Sequence, residues 1–402
     1  MVGFVITRNP ARRWVIAVGT SVISAAGALM YLEHLGFPPG KPDAGLIQEL
    51  EHFRGPRRPA ASVVIVDIKR GASGAARAGS VRRAVIAQVI RCASAEGAKA
   101  IAILSCLEGP SPFGYEDDLA LIGACRAAGN VVLAAHSPTR GLKPHAGQWS
   151  CVPFASARTV VAGLGEAGIL TPGGTGWTVP TCGFWGSPPF PGICVETVRV
   201  GMRLSSGEVK ATKDELVLGT RVVDLSDGEL IVNFRGPRGA IPTLDAGALL
   251  GSGAERQMLK EAYVVIGEDS CKSGGLLTVP LGRERGELGG TMGPVEILAN
   301  GIETLAGGIS IRWVKLPVAL AITLGECLLF ASVTLFTRWV VMVLPVLYGL
   351  LLLEGRVDAF FFTKSIAMDT NYRAWAVVPC VCLSLVARIV LFLKERRSSE
   401  RR

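Results

Sequence analysis

The chain has 402 residues, a formal net charge of +9, 49% hydrophobic residues and 19% charged ones. With a mean hydropathy of +0.40, that balance excludes a disordered chain and argues against a purely soluble one. The basic residues form no single patch and do not interleave with aromatics, so no nucleic acid is expected as a partner; several flank apolar runs, as beside a lipid bilayer.

Arg8, Arg12 and Arg13 precede Trp14–Leu32, an uncharged run of 19 residues, close to the length that crosses the hydrocarbon core. The basic flank makes 1–13 a cytoplasmic N-terminus and 14–32 a first transmembrane helix. A cleaved signal peptide is the alternative, because Ala26-Gly27-Ala28 fits a small-x-small cleavage site. Either reading exports the chain from residue 33 onward.

Residues 33–315 read as strands alternating with helices. Ser62–Ile68 (SVVIVDI) is a buried-strand run. Ser80 can cap a helix running to Gly97, with Val81, Val85, Val89 and Cys92 on a helical period. Ala98–Cys106 is a second strand. Glu116-Asp117-Asp118 opens another helix at the end where acids suit the dipole, and Gly129 stops it. This acidic pair reads as a helix-start charge pair rather than a metal or acid/base site. Asn130–Ala135 is a third strand. Residues 138–192 form a loop-rich excursion with one or two short strands. Val195–Leu204 is a helix, Glu229–Phe234 a strand, Leu244–Leu250 a short helix, Ala262–Gly267 a strand and Pro294–Leu305 a final helix. The fold class expected is α/β, a mostly parallel sheet flanked by helices, joined to a transmembrane α-helical region.

The C-terminal part supplies three more apolar runs: 316–336, 339–355 with its apolar core at Trp339–Leu353, and 374–393. With no water in the bilayer core, such runs must be helices. The tail, 394–402, carries five basic residues, which makes it cytoplasmic; the outer loop 355–373 holds Arg356, Lys364 and Arg373, an imperfect fit to the positive-inside pattern. Glu326 and Arg388 lie inside spans. Arg388 is near enough to the interface to snorkel, whereas Glu326 is deep enough to act as an inter-helix hydrogen-bond partner.

Catalytic signatures are sparse. Gly163–Gly168 (GLGEAG) matches GxGxxG, but the Thr171-Pro172-Gly173-Gly174 that comes after it cannot continue as the helix a dinucleotide site requires. No Walker A, nucleophile elbow or HExxH pattern occurs, and the four histidines have no paired ligand spacing. No cofactor and no metal is implied, and no enzyme is indicated. The best-placed polar residues lie beyond strand ends, where open α/β sheets bind ligands: Asp67, Ser105, His136, Asn233, Arg235, Glu268 and Asp269. Of these, Asp67, Asn233, Arg235, Glu268 and Asp269 form the candidate ligand-binding set, and Arg235 could fork a carboxylate or phosphate. Of the ten cysteines, Cys182 and Cys194 could pair across the loop-rich excursion in an oxidising compartment.

Several stretches together resemble the CHASE2 extracellular sensor domain family: Val63–Ile68 (VVIVDI), Glu96–Leu104 (EGAKAIAIL), Asp117–Ala134, Pro189-Phe190-Pro191 leading into Val195–Val200, Val232–Pro237 (VNFRGP) with Ile241-Pro242, Ala262–Gly267 (AYVVIG), Pro280-Leu281-Gly282, and Pro294–Leu305 (PVEILANGIETL). The resemblance covers roughly residues 40–315, and the order and spacing of the stretches carry it. One membrane helix before the domain and about three after it is the family's layout. The chain departs from the family at Ala78–Arg83, around Leu104-Ser105-Cys106 and at Thr171–Trp177, so no binding residues are carried over.

The resemblance implies a sensor of bacterial signal transduction. After Leu393 only nine residues remain, too few for an output domain. The expectation is therefore an extracytoplasmic sensor in the bacterial inner membrane. It would bind an unknown small ligand and act through a separate kinase, cyclase or other signalling partner; a homo-oligomer is compatible with this. A degenerate sensor domain kept as a membrane scaffold, and an enzyme with an unrecognised exported site, are the alternatives.

Overall fold

The computed structural model of the chain describes residues 10–34, 47, 50–52, 54–68, 81–105, 107–135, 153–168, 178–181, 191–225, 228–251, 253–268, 277–284, 287–337, 340–367 and 370–400. In chain order the elements are α1 (Pro10–His34), β1 (Val63–Asp67), α2 (Arg83–Ala95), β2 (Ala100–Ile103), α3 (Tyr115–Ala128), β3 (Val131–Ala135), α4 (Ala155–Arg158), β4 (Gly163–Glu166), β5 (Thr178–Pro180), α5 (Ile193–Gly201), β6 (Val209–Ala211), β7 (Glu215–Leu218) and β8 (Arg221–Asp224). They continue with β9 (Glu229–Ile231), β10 (Thr243–Asp245), α6 (Ala246–Gly251), β11 (Tyr263–Gly267), β12 (Leu277–Glu284), β13 (Glu287–Met292), α7 (Pro294–Gly307), β14 (Arg312–Trp313), α8 (Leu316–Phe336), α9 (Val340–Thr363), β15 (Ile366–Ala367) and α10 (Thr370–Glu400). The chain divides into two compact units, Glu51–Ile311 and Met1–Leu50 with Arg312–Arg402.

The first unit is built on a six-stranded sheet of order β10-β1-β11-β2-β3-β4, parallel throughout. Strands covered on both faces must be apolar at successive positions rather than alternately, and β1 (VVIVD), β2 (AIAI), β3 (VVLAA) and β11 (YVVIG) are buried along their lengths accordingly. On one face Val64, Val66, Ile101, Ile103, Leu133 and Ile266 pack with Ile86 and Ile90 of α2, Leu121 of α3 and Leu249 of α6. The buried stripe of α2 is Ile86, Ala87, Val89, Ile90 and Ala93. It is turned from the expected one, leaving Val85 and Cys92 half-buried. On the other face, α5 lies over β2, β3 and β4, and α7 over β1 and β11. The result is a three-layer α/β/α sandwich. Gly129 closes α3 in the left-handed conformation, φ 68°, where a side chain would strain the backbone.

Two expectations about strands need correction. The run after Glu229 does not join the main sheet: β9 pairs antiparallel with β5 in a separate two-stranded ribbon. The segment read as a helix from Leu244 first adds β10 to the edge of the main sheet beside β1, and the helix starts at Ala246. The loop-rich excursion contains β4 and β5, matching the one or two short strands expected there.

The disulfide expectation also fails. Cys194 is a free thiol whose Sγ donates to the Leu298 carbonyl at 3.4 Å. Burial pushes this thiol up to about 12, while Cys182 lies outside the described residues.

The second unit is helical. Among the described residues, three helical stretches are long and apolar enough to cross a membrane: Pro10–Tyr31, Leu316–Phe336 and Trp375–Lys394. Their contacts fix their relative directions. Trp14 of α1 stacks on Phe336 at the end of α8. Tyr31 at the other end of α1 stacks on Trp375 at the start of α10. Thus α1 runs antiparallel to both. In turn α8 and α10 are parallel: Arg373 meets Glu326, Cys380 meets the Cys327 carbonyl, and Arg388 meets the Thr334 and Thr337 carbonyls. The connection between them, which holds α9, therefore brings the chain back. β14 and β15, two-residue strands each separated by two residues from the helix after it, also run parallel. Small residues on one face of α1, namely Ala17, Ser21, Ser24, Ala25 and Ala28, are buried and allow close helix approach, the usual device where lipid removes the hydrophobic drive. Val15, Ile23 and Met30 point outward, up to 73% exposed, a surface suited to lipid rather than water.

The expected outer loop 355–373 is a further correction. α9 continues to Thr363 and α10 begins at Thr370, so Asp358 and Arg373 are helix residues, and both are buried.

Candidate functional site

The six parallel strands place Asp67 and Glu268 together. Asp67 ends β1 in register with Gly267 of β11 and Asp245 of β10, and Glu268 comes directly after Gly267. This is the C-terminal edge of the sheet, where helix N-termini and strand ends converge on ligands. Ser105 lies just past β2 at the same edge. Asp269 and His136 lie outside the described residues, as do 69–80 and 137–152.

Asn233 and Arg235 are elsewhere, because β9 belongs to the separate ribbon. α7 runs antiparallel to β1 and β11: Val295 lies beside Gly267 at the end of β11, and Glu303 accepts from the Ala60 amide ahead of β1. The Asn233 amide N–H donates to Thr304 Oγ1 at 3.1 Å and its Nδ2 to the Ile309 carbonyl at 2.6 Å. Asn233 therefore sits by the opposite, N-terminal edge. Arg235 is held along α7 by its amide, which donates to Asn300 Oδ1 at 2.8 Å. The four described residues of the set thus separate into an acidic edge, Asp67 and Glu268, and a buried junction, Asn233 and Arg235.

That junction has a sequence pattern that strand and motif searches miss. Glu296, Asn300, Glu303 and Thr304 fall on one face of α7, four and then three or four residues apart, and all are buried. Buried polar groups need partners, and each has one. Glu296 accepts from the Gly239 amide, Asn300 from Arg235, Thr304 from Asn233, and Glu303 from Ala60 and from Arg57 Nη1 at 3.0 Å. Arg57 Nη2 also donates to the Asn233 carbonyl at 2.8 Å. Arg54 donates to Asn233 Oδ1 and, at 2.7 Å, to the Phe234 carbonyl. Burial pulls the Arg54 and Arg57 guanidinium groups below their ordinary range, opposed by Glu51 and Glu303 respectively. Such a network specifies geometry rather than reactivity.

A second buried cluster lies beside the acidic edge. Arg83, at the start of α2, pairs with Asp118, donates to the Gly109 carbonyl at 2.8 Å, and lies 4.5 Å over the Phe154 ring. Asp117 accepts the amides of Arg83 and Ala84 at 2.9 and 2.7 Å. The acidic pair opens α3 as expected, and also caps α2 from across the helix pair. Neither carboxylate is exposed as a reactive group.

The GLGEAG motif serves packing. Gly163, Gly165 and the rest of β4 form a strand with α5 directly above, where a dinucleotide loop would need a helix start. A Cβ on Gly165 would lie 2.5 Å from Ile193 Cα and 2.9 Å from its N, and one on Gly163 would strike the Glu196 carboxylate. Since the obstacle at Gly165 is backbone, Gly165→Ala is expected to destabilise the unit by about 1–3 kcal/mol, read as a lower urea midpoint with an unchanged slope.

In the helical unit, Arg373 joins three helices. Its Nε donates to Glu326 Oε2 at 2.8 Å, its Nη2 to Glu326 Oε1, and its Nη1 to Asp358 Oδ1 at 2.6 Å. The inter-helix role expected of Glu326 is present. Arg388 does not only snorkel: its two Nη atoms donate to the Thr334 and Thr337 carbonyls at 2.6 and 2.8 Å, and Arg13 donates to the Leu335 carbonyl at 3.0 Å. Two arginines thereby satisfy the carbonyls left open at the end of α8.

With this geometry in place, comparison with known proteins gives one result. The model of the CHASE2 domain family matches residues 43–337. No curated protein and no solved structure matches the chain.

Proposed function

The chain belongs to the CHASE2 family, a family of extracellular sensor domains, and from that membership we propose that it is a membrane-anchored extracytoplasmic sensor acting through a separate signalling partner such as a kinase or cyclase. The carrying observation is the extent of the match, which takes in the whole α/β unit and the helix α8 after it. In this reading the α/β unit, within the exported stretch 33–315, faces the outside of a bacterial inner membrane. Four helices cross that membrane, α9 being the return span between the parallel α8 and α10. The cytoplasmic side holds the start of α1 and the ends of α8 and α10, where Arg13, Arg388, Lys394, Arg396 and Arg397 gather, in line with the positive-inside pattern.

The ligand site in this reading is the acidic edge at Asp67 and Glu268, with Asp269 beside them in sequence. Asn233 is committed to its buried network. The sensor transmits by binding one of two states more tightly than the other. The test is thermal unfolding of the full chain in lipid nanodiscs against sets of cations, amines, sugars and peptides. One ligand class is expected to raise the melting temperature of the wild type, by mass action on the native state, and to leave Asp67→Asn/Glu268→Gln unmoved. No shift with any class would contradict the sensor and favour the scaffold.

A further inference from the structure

The α/β unit begins at Glu51 and ends at Ile311, and its two ends meet in the buried junction. The arginines of the incoming segment, Arg54 and Arg57, hold Asn233, whose Nδ2 holds the Ile309 carbonyl of the outgoing segment. Glu51 is the carboxyl under this junction and is fully buried. Its Oε1 accepts the Phe234 amide at 3.2 Å, and its Oε2 has no hydrogen-bond partner among the described residues. The nearest cation, Arg54 Nη2, stands 3.6 Å from Oε1, beyond direct bonding distance, because it donates instead to the Phe234 carbonyl.

We propose that Glu51 is a proton-binding site that controls the tie between the incoming and outgoing ends of the α/β unit. This deepens the sensor reading, on which it rests, by naming the proton as a signal. The protonated carboxyl leaves Arg54 free to hold Asn233 and Phe234, the arrangement observed. Loss of the proton creates a buried carboxylate with one bare oxygen, which competes for Arg54 and draws it off Asn233, loosening the link to Ile309.

The charged groups around the carboxyl are few. Arg54 and Arg57 face it from its own segment and the Phe234 amide from the segment after β9. From α7, Glu303 neutralises Arg57, and Arg235 acts on Arg57 from a distance. Desolvation outweighs the arginines and the amide and raises Glu51 from 4.5 to about 7, into the range where a proton signal is read. A carboxyl raised in the folded state favours folding most at low pH. Its contribution is complete below about 4.5 and is lost as pH rises through about 7.

The experiment uses the full chain in nanodiscs. The carboxyl carbon of Glu51 is followed by NMR from pH 4 to 9, and protection of the Ile309 amide, which donates to the Thr304 carbonyl, is measured alongside as the exchange rate relative to the intrinsic rate at each pH. The expected result is a midpoint near 7, with protection at Ile309 falling above it, and in Glu51→Gln protection that does not change with pH. A midpoint near 4.5, or protection in Glu51→Gln that still falls with the same midpoint, would overturn the proposal. If Glu51→Gln does not fold, the wild-type midpoint decides alone. A failed proton response with an intact ligand-dependent melting shift removes this inference and leaves the sensor standing.

Discussion

Arg373→Met is expected to dissociate the helices of the membrane unit. The side chain is 3% exposed and is the cation facing two carboxylates, Glu326 on α8 and Asp358 on α9. Two charges stranded in an apolar bundle cost far more than one lost hydrogen bond. Removing one partner of a buried pair costs about 3–5 kcal/mol, and here two acids lose the same partner. The variant should unfold well below the wild type in detergent. Arg373→Lys should rescue little, since one ammonium cannot reproduce a fork to two carboxylates. The triple change Arg373→Met/Glu326→Gln/Asp358→Asn should recover most of the loss, because it removes the stranded charges together. A single variant as stable as the wild type would show that the three groups are wetted and uncoupled.

Arg83→Met should have the second-largest effect, confined to the α/β unit. The residue is 4% exposed. Among the described residues its loss leaves Asp118 with only the Ser111 amide, at 3.2 Å, and leaves the Gly109 carbonyl without this donor. The expected cost is about 3–5 kcal/mol, a fall in melting temperature on the order of 10 °C for a unit of this size. Asp117→Ala should cost less, about 1–2 kcal/mol, the usual range for a lost helix cap, although the cap comes from a neighbouring helix. Finding Asp117→Ala worse than Arg83→Met in urea unfolding would reverse this assignment of roles.

The sequence revealed the parts of the fold in which a single segment carries its own signal. VVIVDI and AYVVIG are apolar at consecutive positions because central parallel strands are covered on both faces, and both are strands of the main sheet. The start of α3 was legible from its acids and its end from Gly129. The 21-residue run Leu316–Phe336 is a helix with those bounds. What the sequence concealed depends on partners far along the chain. ELIVNF has the composition of a main-sheet strand, yet its partner is β5, so Asn233 and Arg235 lie away from the edge where strand counting put them. Arg373 looked like a loop charge because its acids are 15 and 47 residues away. Glu51 carries no local signal, since burial of an acid between two segments has no sequence pattern. The polar stripe Glu296, Asn300, Glu303, Thr304 was the one available clue: four polar residues on a single face of an otherwise apolar helix require a polar counterpart.

The central proposal is that the α/β unit lies outside the membrane, with membrane helices before and after it in the chain. The most direct measurement fuses a phosphatase that folds actively only after export to a site near residue 150 of the chain in living cells. High phosphatase activity is predicted; an inactive phosphatase, with a cytosolic reporter active at the same site, would contradict the account.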